Sequence, residues 1–146
     1  MATDYLLDTN ILVALIRNNP LGRQIQARFN LRAFISRCMI SVVTVGEMEK
    51  LAREFQWGND KLTAMRGLLD QLIWIDINDP SIFQAYAEID VFTDGQGRVM
   101  GKNDAWIAAT AKASGSTLLT TDHDFDHLDP AFITRIWIDP DPTSKP

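Results

Sequence analysis

NDAWIAATAKASGSTLLTTDHDFDHL, residues 103–128, changes character twice. Its first part is alanine-rich and closes on Gly115, the pattern of a helix with a glycine stop. TLLT, 117–120, follows as a short apolar strand, and four aspartates then occupy the eight positions from 122 to 129. The spacing Asp122-x-Asp124-x-Asp126 resembles the start of a calcium loop. An EF-hand would need glycine at its sixth position and glutamate at its twelfth, where this chain has His127 and Ile133. The acid therefore belongs to something other than a local loop.

The same alternation runs outward from this segment. YLL (5–7), CMI (38–40), LIWIDI (72–77), TLLT (117–120) and RIWI (135–138) read as short buried strands. Helices are predicted over about 21–35, 44–57, 60–72 and 80–92, besides the alanine-rich one. The fourth of these starts at Pro80, a favoured first-turn residue. Strands alternating with helices predict an α/β domain on a mainly parallel sheet, with ligands beyond the carboxyl ends of the strands. The domain is predicted over 1–138. DPDPTSKP, 139–146, has three prolines and no apolar side chain and reads as a frayed tail.

With 146 residues, 46% of them hydrophobic, the chain suffices for one domain with a substantial core. It has no long uninterrupted apolar run and no basic, apolar leader, so neither a membrane span nor a signal peptide is expected, which suits a cytoplasmic protein. Cys38 is the only cysteine, which removes disulfide frameworks and cysteine-rich zinc sites. The net charge of −5 argues against a generic nucleic-acid coat, but the charge is unevenly placed. No acid lies between Asp8 and Glu47, whereas Arg17, Arg23, Arg28, Arg32 and Arg37 all do.

Four acids follow from this layout. Asp8 ends the first strand, Glu47 lies just past the second, Asp104 opens the alanine-rich helix, and Asp122 ends the fourth strand. Each has a purely structural alternative. Asp8 could cap a helix beginning at DTNILVALI, and Thr44-Val45-Gly46-Glu47 matches a capping box. Asp104 could answer the positive helix end, and Asp122 could form a turn. What weakens these alternatives jointly is that all four fall at one edge of one sheet. Carboxylates gathered there repel one another and need a cation, and an oxygen-only set suits Mg²⁺ or Mn²⁺. Gly46, costly inside a helix, is expected to leave room beside Glu47.

LLDTNILV, SVVTVGEM, GKNDAWIAATA and LLTTDHDFDHL resemble, in order and spacing, the motifs of PIN-domain ribonucleases, and most of all the VapC-type toxins of toxin–antitoxin pairs. The likeness covers about residues 4–138. It implies a three-layer domain with a five-stranded, mainly parallel sheet of order 3-2-1-4-5. It also implies Mg²⁺- or Mn²⁺-dependent cleavage of RNA, a cognate antitoxin partner and a homodimer. Its acidic quartet falls on Asp8, Glu47, Asp104 and Asp122, and Asp124 matches a further, more variable acid. Asn10, Thr44, Asn103 and Thr120 match supporting polar positions, while Thr121 stands where asparagine is commoner in the family.

Other features are weighed beside this. His123 and His127 could share a helical face, but no further histidine completes a zinc site. Trp74 and Trp137 are expected in the core, and Trp106 beneath the site. Arg28 and Arg32, four apart on a predicted helix, are candidates for RNA phosphates. Asp126 and Asp129 fall on the turn after the strand and are expected to be dispensable. One rival is a phospho-acceptor signalling domain using Asp76, which would want an acid pair after strand one and a lysine after strand five. The other is an inactive PIN fold that binds RNA or protein.

Overall fold

The computed structural model describes residues 3–141 and 143. Five strands, β1 (Tyr5–Leu7), β2 (Met39–Ser41), β3 (Ile73–Ile75), β4 (Thr117–Thr120) and β5 (Thr134–Trp137), form one sheet of order β3-β2-β1-β4-β5. Every pairing is parallel. Six α-helices connect or cover them: α1 (Thr9–Arg17), α2 (Pro20–Phe29), α3 (Val42–Glu54), α4 (Asn59–Gln71), α5 (Pro80–Gly95) and α6 (Lys102–Ser114). Two 3-10 segments, Leu31–Arg37 and His123–Leu128, complete the described chain.

Strand alternation builds three layers. Leu7, Ile40 and Leu119 point to a core shared with α1 to α4, which includes Ile11, Ile25, Met48 and Met65. Leu6 and Leu118, their chain neighbours, point to the opposite core with Ile89, Ile107 and Ala108 of α5 and α6. Alanines keep α6 slim, and Ala105, Ala108 and Ala109 are fully or almost fully buried. This lets its first turn approach the strand ends. Among the described residues no helix is long and apolar enough to cross a membrane.

Several expectations are corrected. The helix expected over 21–35 ends at Asn30, which adopts the left-handed conformation (φ 52°) and donates its N–H to the Gln26 carbonyl. A 3-10 segment follows, so Arg28 and Arg32 do not share a helix face. The box at Thr44–Glu47 is not a cap either. Ser41 caps α3 by accepting from the Val43 N–H at 3.1 Å, and Glu47 falls in the second turn with its carboxylate free for other use. Trp74 is 48% exposed because β3 is an edge strand; its indole N–H donates to the Leu69 carbonyl.

The tail expected at 139–146 lies partly outside the described residues. Within them, Ile138 donates its N–H to the Thr120 carbonyl at 2.8 Å, and Asp139 accepts from the Asp141 N–H.

Candidate active site

β1 and β4 are neighbours, and Leu7 registers with Leu119. The next residues along each strand, Asp8 and Thr120, therefore meet at the sheet's carboxyl edge. The Asp8 N–H donates to the Leu119 carbonyl at 3.0 Å, and the Thr120 hydroxyl donates to Asp8 Oδ2 at 2.7 Å. Asp8 Oδ1 accepts the Thr9 N–H at 2.8 Å, so the residue also caps α1. The capping alternative is thus true of Asp8 without exhausting it, because each oxygen keeps a free lone pair. Thr120 in turn accepts the Asp122 N–H at 3.0 Å, which ties the second acid to the first.

Glu47 reaches the same place from α3. Its Oε1 accepts a hydrogen bond from the Thr9 hydroxyl at 2.7 Å. Thr9 is a residue the sequence did not single out, although it stands directly after Asp8. The first turn of α6 supplies Asp104, whose carboxylate has no hydrogen bond from the described residues. Asp122 caps, and Asp124 lies within, the 3-10 segment that Phe125 and Leu128, each 0% exposed, pin into the core. Burying one phenylalanine is worth about 1.5–3 kcal/mol, so the acids sit on an anchored turn.

The four predicted acids surround one open cleft of about 260 Å³, with Asn10 and Asn103 at its rim. Thr9, Lys50 and Leu51 complete the lining. Ligand oxygens of Asp104, Asp122 and Asp124 lie within 4.8 Å of one another, a spacing that suits one small cation. Thr44 is fully buried beneath the site rather than lining it, and its hydroxyl has no partner among the described residues.

The electrostatics fit a cation. Burial pushes the Asp8 carboxyl up to about 6 from an ordinary 3.8, with the charges of Glu47 and Asp122 adding to this against the bonds from Thr120 and Thr9. Asp104 rises to about 7, through burial first and then through Asp8, Asp122, Glu47 and Asp124. Without a positive partner these acids hold protons they would otherwise lose, and a divalent ion removes that penalty.

Other candidates lie elsewhere. Arg32 donates to the Leu15 carbonyl at 3.1 Å, and the Arg28 guanidinium rests 4.8 Å from the Phe29 ring centre. Phe29 packs on Tyr5 at the opposite, amino-terminal edge of the sheet, beside a hollow of about 220 Å³ that contains no acid. Neither arginine faces the acidic cleft. At Gly46 an added Cβ would stand in open space, with nothing within 4 Å.

His123 and His127 diverge. His123 pairs with Asp126 at 2.8 Å and stacks on Trp137, whereas His127 bonds to the Thr93 hydroxyl. Trp106 stacks on Tyr86 between α5 and α6, with ring centres 4.0 Å apart. Asp76 follows β3, two strands away from Asp8, and among the described residues accepts only the Asn78 N–H, which leaves the phospho-acceptor scheme without a site. Asp126 and Asp129 are both engaged, with Arg135 Nη2 at 3.1 Å from Asp126 and the Arg135 N–H at 2.9 Å from Asp129.

A parallel sheet of this order, with acids gathered at its β1/β4 switch point, is the arrangement of a PIN fold, and the family model for the PIN domain matches residues 5–130. The chain belongs to the PIN-domain family. Among named relatives it is similar to Ribonuclease VapC2 of Haemophilus influenzae, 29% identical over 135 residues covering 92% of this chain and 98% of that one. It is also similar to the tRNA(fMet)-specific endonuclease VapC of Shigella flexneri, 29% identical over 116 residues, which cover 80% of this chain and 84% of that protein. Among solved structures, the DNA-bound VapBC complex of Salmonella typhimurium superposes with a TM-score of 0.77 at 26% identity, over 92% of this chain and 98% of that one.

Proposed function

We propose that this chain is a Mg²⁺- or Mn²⁺-dependent endoribonuclease of the VapC type, held in check by a cognate antitoxin and working as a homodimer. The observation that carries the proposal is the convergence of Asp8, Glu47, Asp104 and Asp122 on one open cleft, with Asp124 beside them. The names of the VapC relatives support the ribonuclease class, and the VapBC complex supports a protein partner.

In this scheme Asp104, Asp122 and Asp124 would hold the cation, with Asp8 at the end of β1 and Glu47 on α3 adding their charge to the same cleft. The ion would supply an acidified water for in-line attack on phosphorus and positive charge for the leaving oxygen. The protein's own contribution is orientation. Thr120 and the Thr9 amide fix both oxygens of Asp8, and the Thr9 hydroxyl fixes Glu47. Asn10 and Asn103, exposed at the rim, offer donors to the phosphate oxygens of the substrate. No histidine lies in the cleft, and this chemistry requires none.

The test is incubation of purified protein with RNA in Mg²⁺, in Mn²⁺ and in EDTA, alongside folded Asp8→Asn. Cleavage by the wild type in metal alone is the expected result. RNA that is bound but left intact under every condition would make the chain an RNA-binding module instead.

A further inference from the structure

Four side chains outside the cleft form an ordered stack on its α1/α3 flank. The Arg17 guanidinium lies 4.6 Å from the centre of the Phe55 ring, Phe55 stacks on Trp57 at 6.2 Å and 26°, and the Lys61 ammonium lies 5.4 Å from the Trp57 ring. Phe55 is 48% exposed, and Arg17 and Lys61 are exposed as well. Neither cation has a carboxylate partner among the described residues, in contrast with Lys50, Arg53 and Arg66 nearby, which pair with Glu54 or Glu49.

The backbone is bent to build this stack. Gln56 adopts the left-handed conformation (φ 53°), which is uncommon outside glycine. The Trp57 N–H then closes back on the Ala52 carbonyl at 3.0 Å, which brings Trp57 alongside Phe55. The stack is also continuous with the cleft. Phe55 lies one turn beyond Leu51, a lining residue, and about 12 Å along α3 from Glu47. Arg17 lies about 14 Å along α1 from Asp8, and the two helices pack together.

We propose that Arg17, Phe55, Trp57 and Lys61 form a docking strip for a single-stranded stretch of RNA flanking the bond to be cut. Phe55, half exposed in the middle of the stack, offers aromatic surface to a base regardless of sequence, and the two cations that cover the ring faces have no carboxylate partner among the described residues and answer phosphates. A protein whose cleft is lined by carboxylates needs positive charge at a distance from them, and here it is supplied with nothing to neutralise it. About 12 Å corresponds to roughly four stacked nucleotides, so a strand seated on the strip leads into the acidic cleft. The phosphate contacts assigned on sequence grounds to Arg28 and Arg32 thus pass to Arg17, from the same acid-free segment, and to Lys61.

This inference rests on the ribonuclease reading, and the experiment separates the two. Binding of a labelled 12-nucleotide single-stranded RNA is measured by fluorescence anisotropy across several salt concentrations, in an Asp104→Asn background that suppresses turnover. Arg17→Gln with Lys61→Gln, both at exposed positions, should weaken binding about ten-fold and flatten the log–log salt slope by about 1.4, the value for two lost phosphate contacts. Phe55→Ala should weaken binding while leaving the salt slope in place. Mn²⁺ affinity, measured in each variant with Asp104 intact, should match the wild type and shows that the fold and cleft survive. Unchanged affinity and slope in both variants, in a protein whose Asp104-intact form still cleaves RNA, overturn the strip alone. Loss of antitoxin inhibition with RNA binding intact would also overturn it, by assigning the surface to a protein. Failure of the wild type to cleave in any metal overturns the parent reading instead.

Discussion

The Thr120 hydroxyl donates to Asp8 Oδ2 at 2.7 Å and accepts the Asp122 N–H at 3.0 Å, so one side chain joins two acids contributed by β1 and the end of β4. This junction exists only because β1 and β4 are adjacent and in register, Leu7 against Leu119. Sheet order is therefore part of the site's chemistry. In any order that separated these strands, Asp8 would be an ordinary helix cap.

Thr120→Val keeps the side chain's shape and removes its hydroxyl. Asp8 then loses one of the donors that favour its charged form, and the Asp122 N–H loses its acceptor. Removing an orienting partner of this kind costs about 10–100-fold in metal affinity. Titration calorimetry with Mn²⁺ should show a loss in that range, with Thr120→Ser close to wild type. Equal affinity in the valine variant would reduce the bond to a strand-end detail.

The raised carboxyls also set the pH dependence of stability. In the unfolded chain Asp8 and Asp104 lose their protons near the ordinary 3.8, whereas in the fold they keep them to about 6 and about 7. Between those values the folded state binds more protons, so these groups cost stability progressively as pH rises from about 4 to about 7. Asp8 accounts for up to about 3 kcal/mol of this. Metal-free Asp8→Asn should accordingly melt above wild type at pH 7.5, with the gap closing toward pH 4, and Mn²⁺ should stabilise the wild type most at pH 7.5. A gap that widened on acidification would contradict the burial of Asp8.

Asp8 and Asp122 were legible because each closely follows a short apolar run, Glu47 because it lies just past the second such run, and Asp104 because it opens an alanine-rich helix, all local patterns. The α/β class with a mainly parallel sheet followed from the alternation of strands and helices, whereas the strand order came with the resemblance to PIN-domain ribonucleases. What the sequence hid were conformations and contacts that depend on distant parts of the chain. Asn30 reads as one more polar residue of a helix until its left-handed backbone is seen. Ser41 and Thr44 are both plausible caps, and only the end of β2 decides for Ser41. Trp74 looks like core until strand order places β3 at the edge. Thr9 escaped notice because its partner, Glu47, lies on another helix.

The acids after β4 divide by role. Asp124 shares the cation-sized cluster with Asp104 and Asp122, whereas Asp126 bridges His123 and Arg135 on the way to β5. Asp124→Ala should weaken Mn²⁺ binding with little change in melting temperature. Asp126→Ala leaves the largely buried Arg135 unpaired and should cost about 1–3 kcal/mol of stability, with Mn²⁺ affinity of the folded protein kept. Thermal melts paired with Mn²⁺ titrations distinguish these outcomes, and an exchanged pattern would exchange the roles.

Gly46 offers a test of how the substrate reaches Glu47. It sits inside α3 with helical neighbours, is exposed, and would place an added Cβ in open space. Alanine in an exposed helix interior is more favourable than glycine by up to about 1 kcal/mol, chiefly because it has less backbone freedom to lose on folding. In a domain of this size that gain corresponds to a rise of about 2–4 °C in Tm. If RNA enters along the α1/α3 flank, through Leu51 and Phe55, a methyl group at position 46 lies off its path. Gly46→Ala should then melt higher and cleave at the wild-type rate. A variant that melts higher but cleaves several-fold more slowly would place the substrate across Gly46, and the space beside Glu47 would belong to the RNA after all.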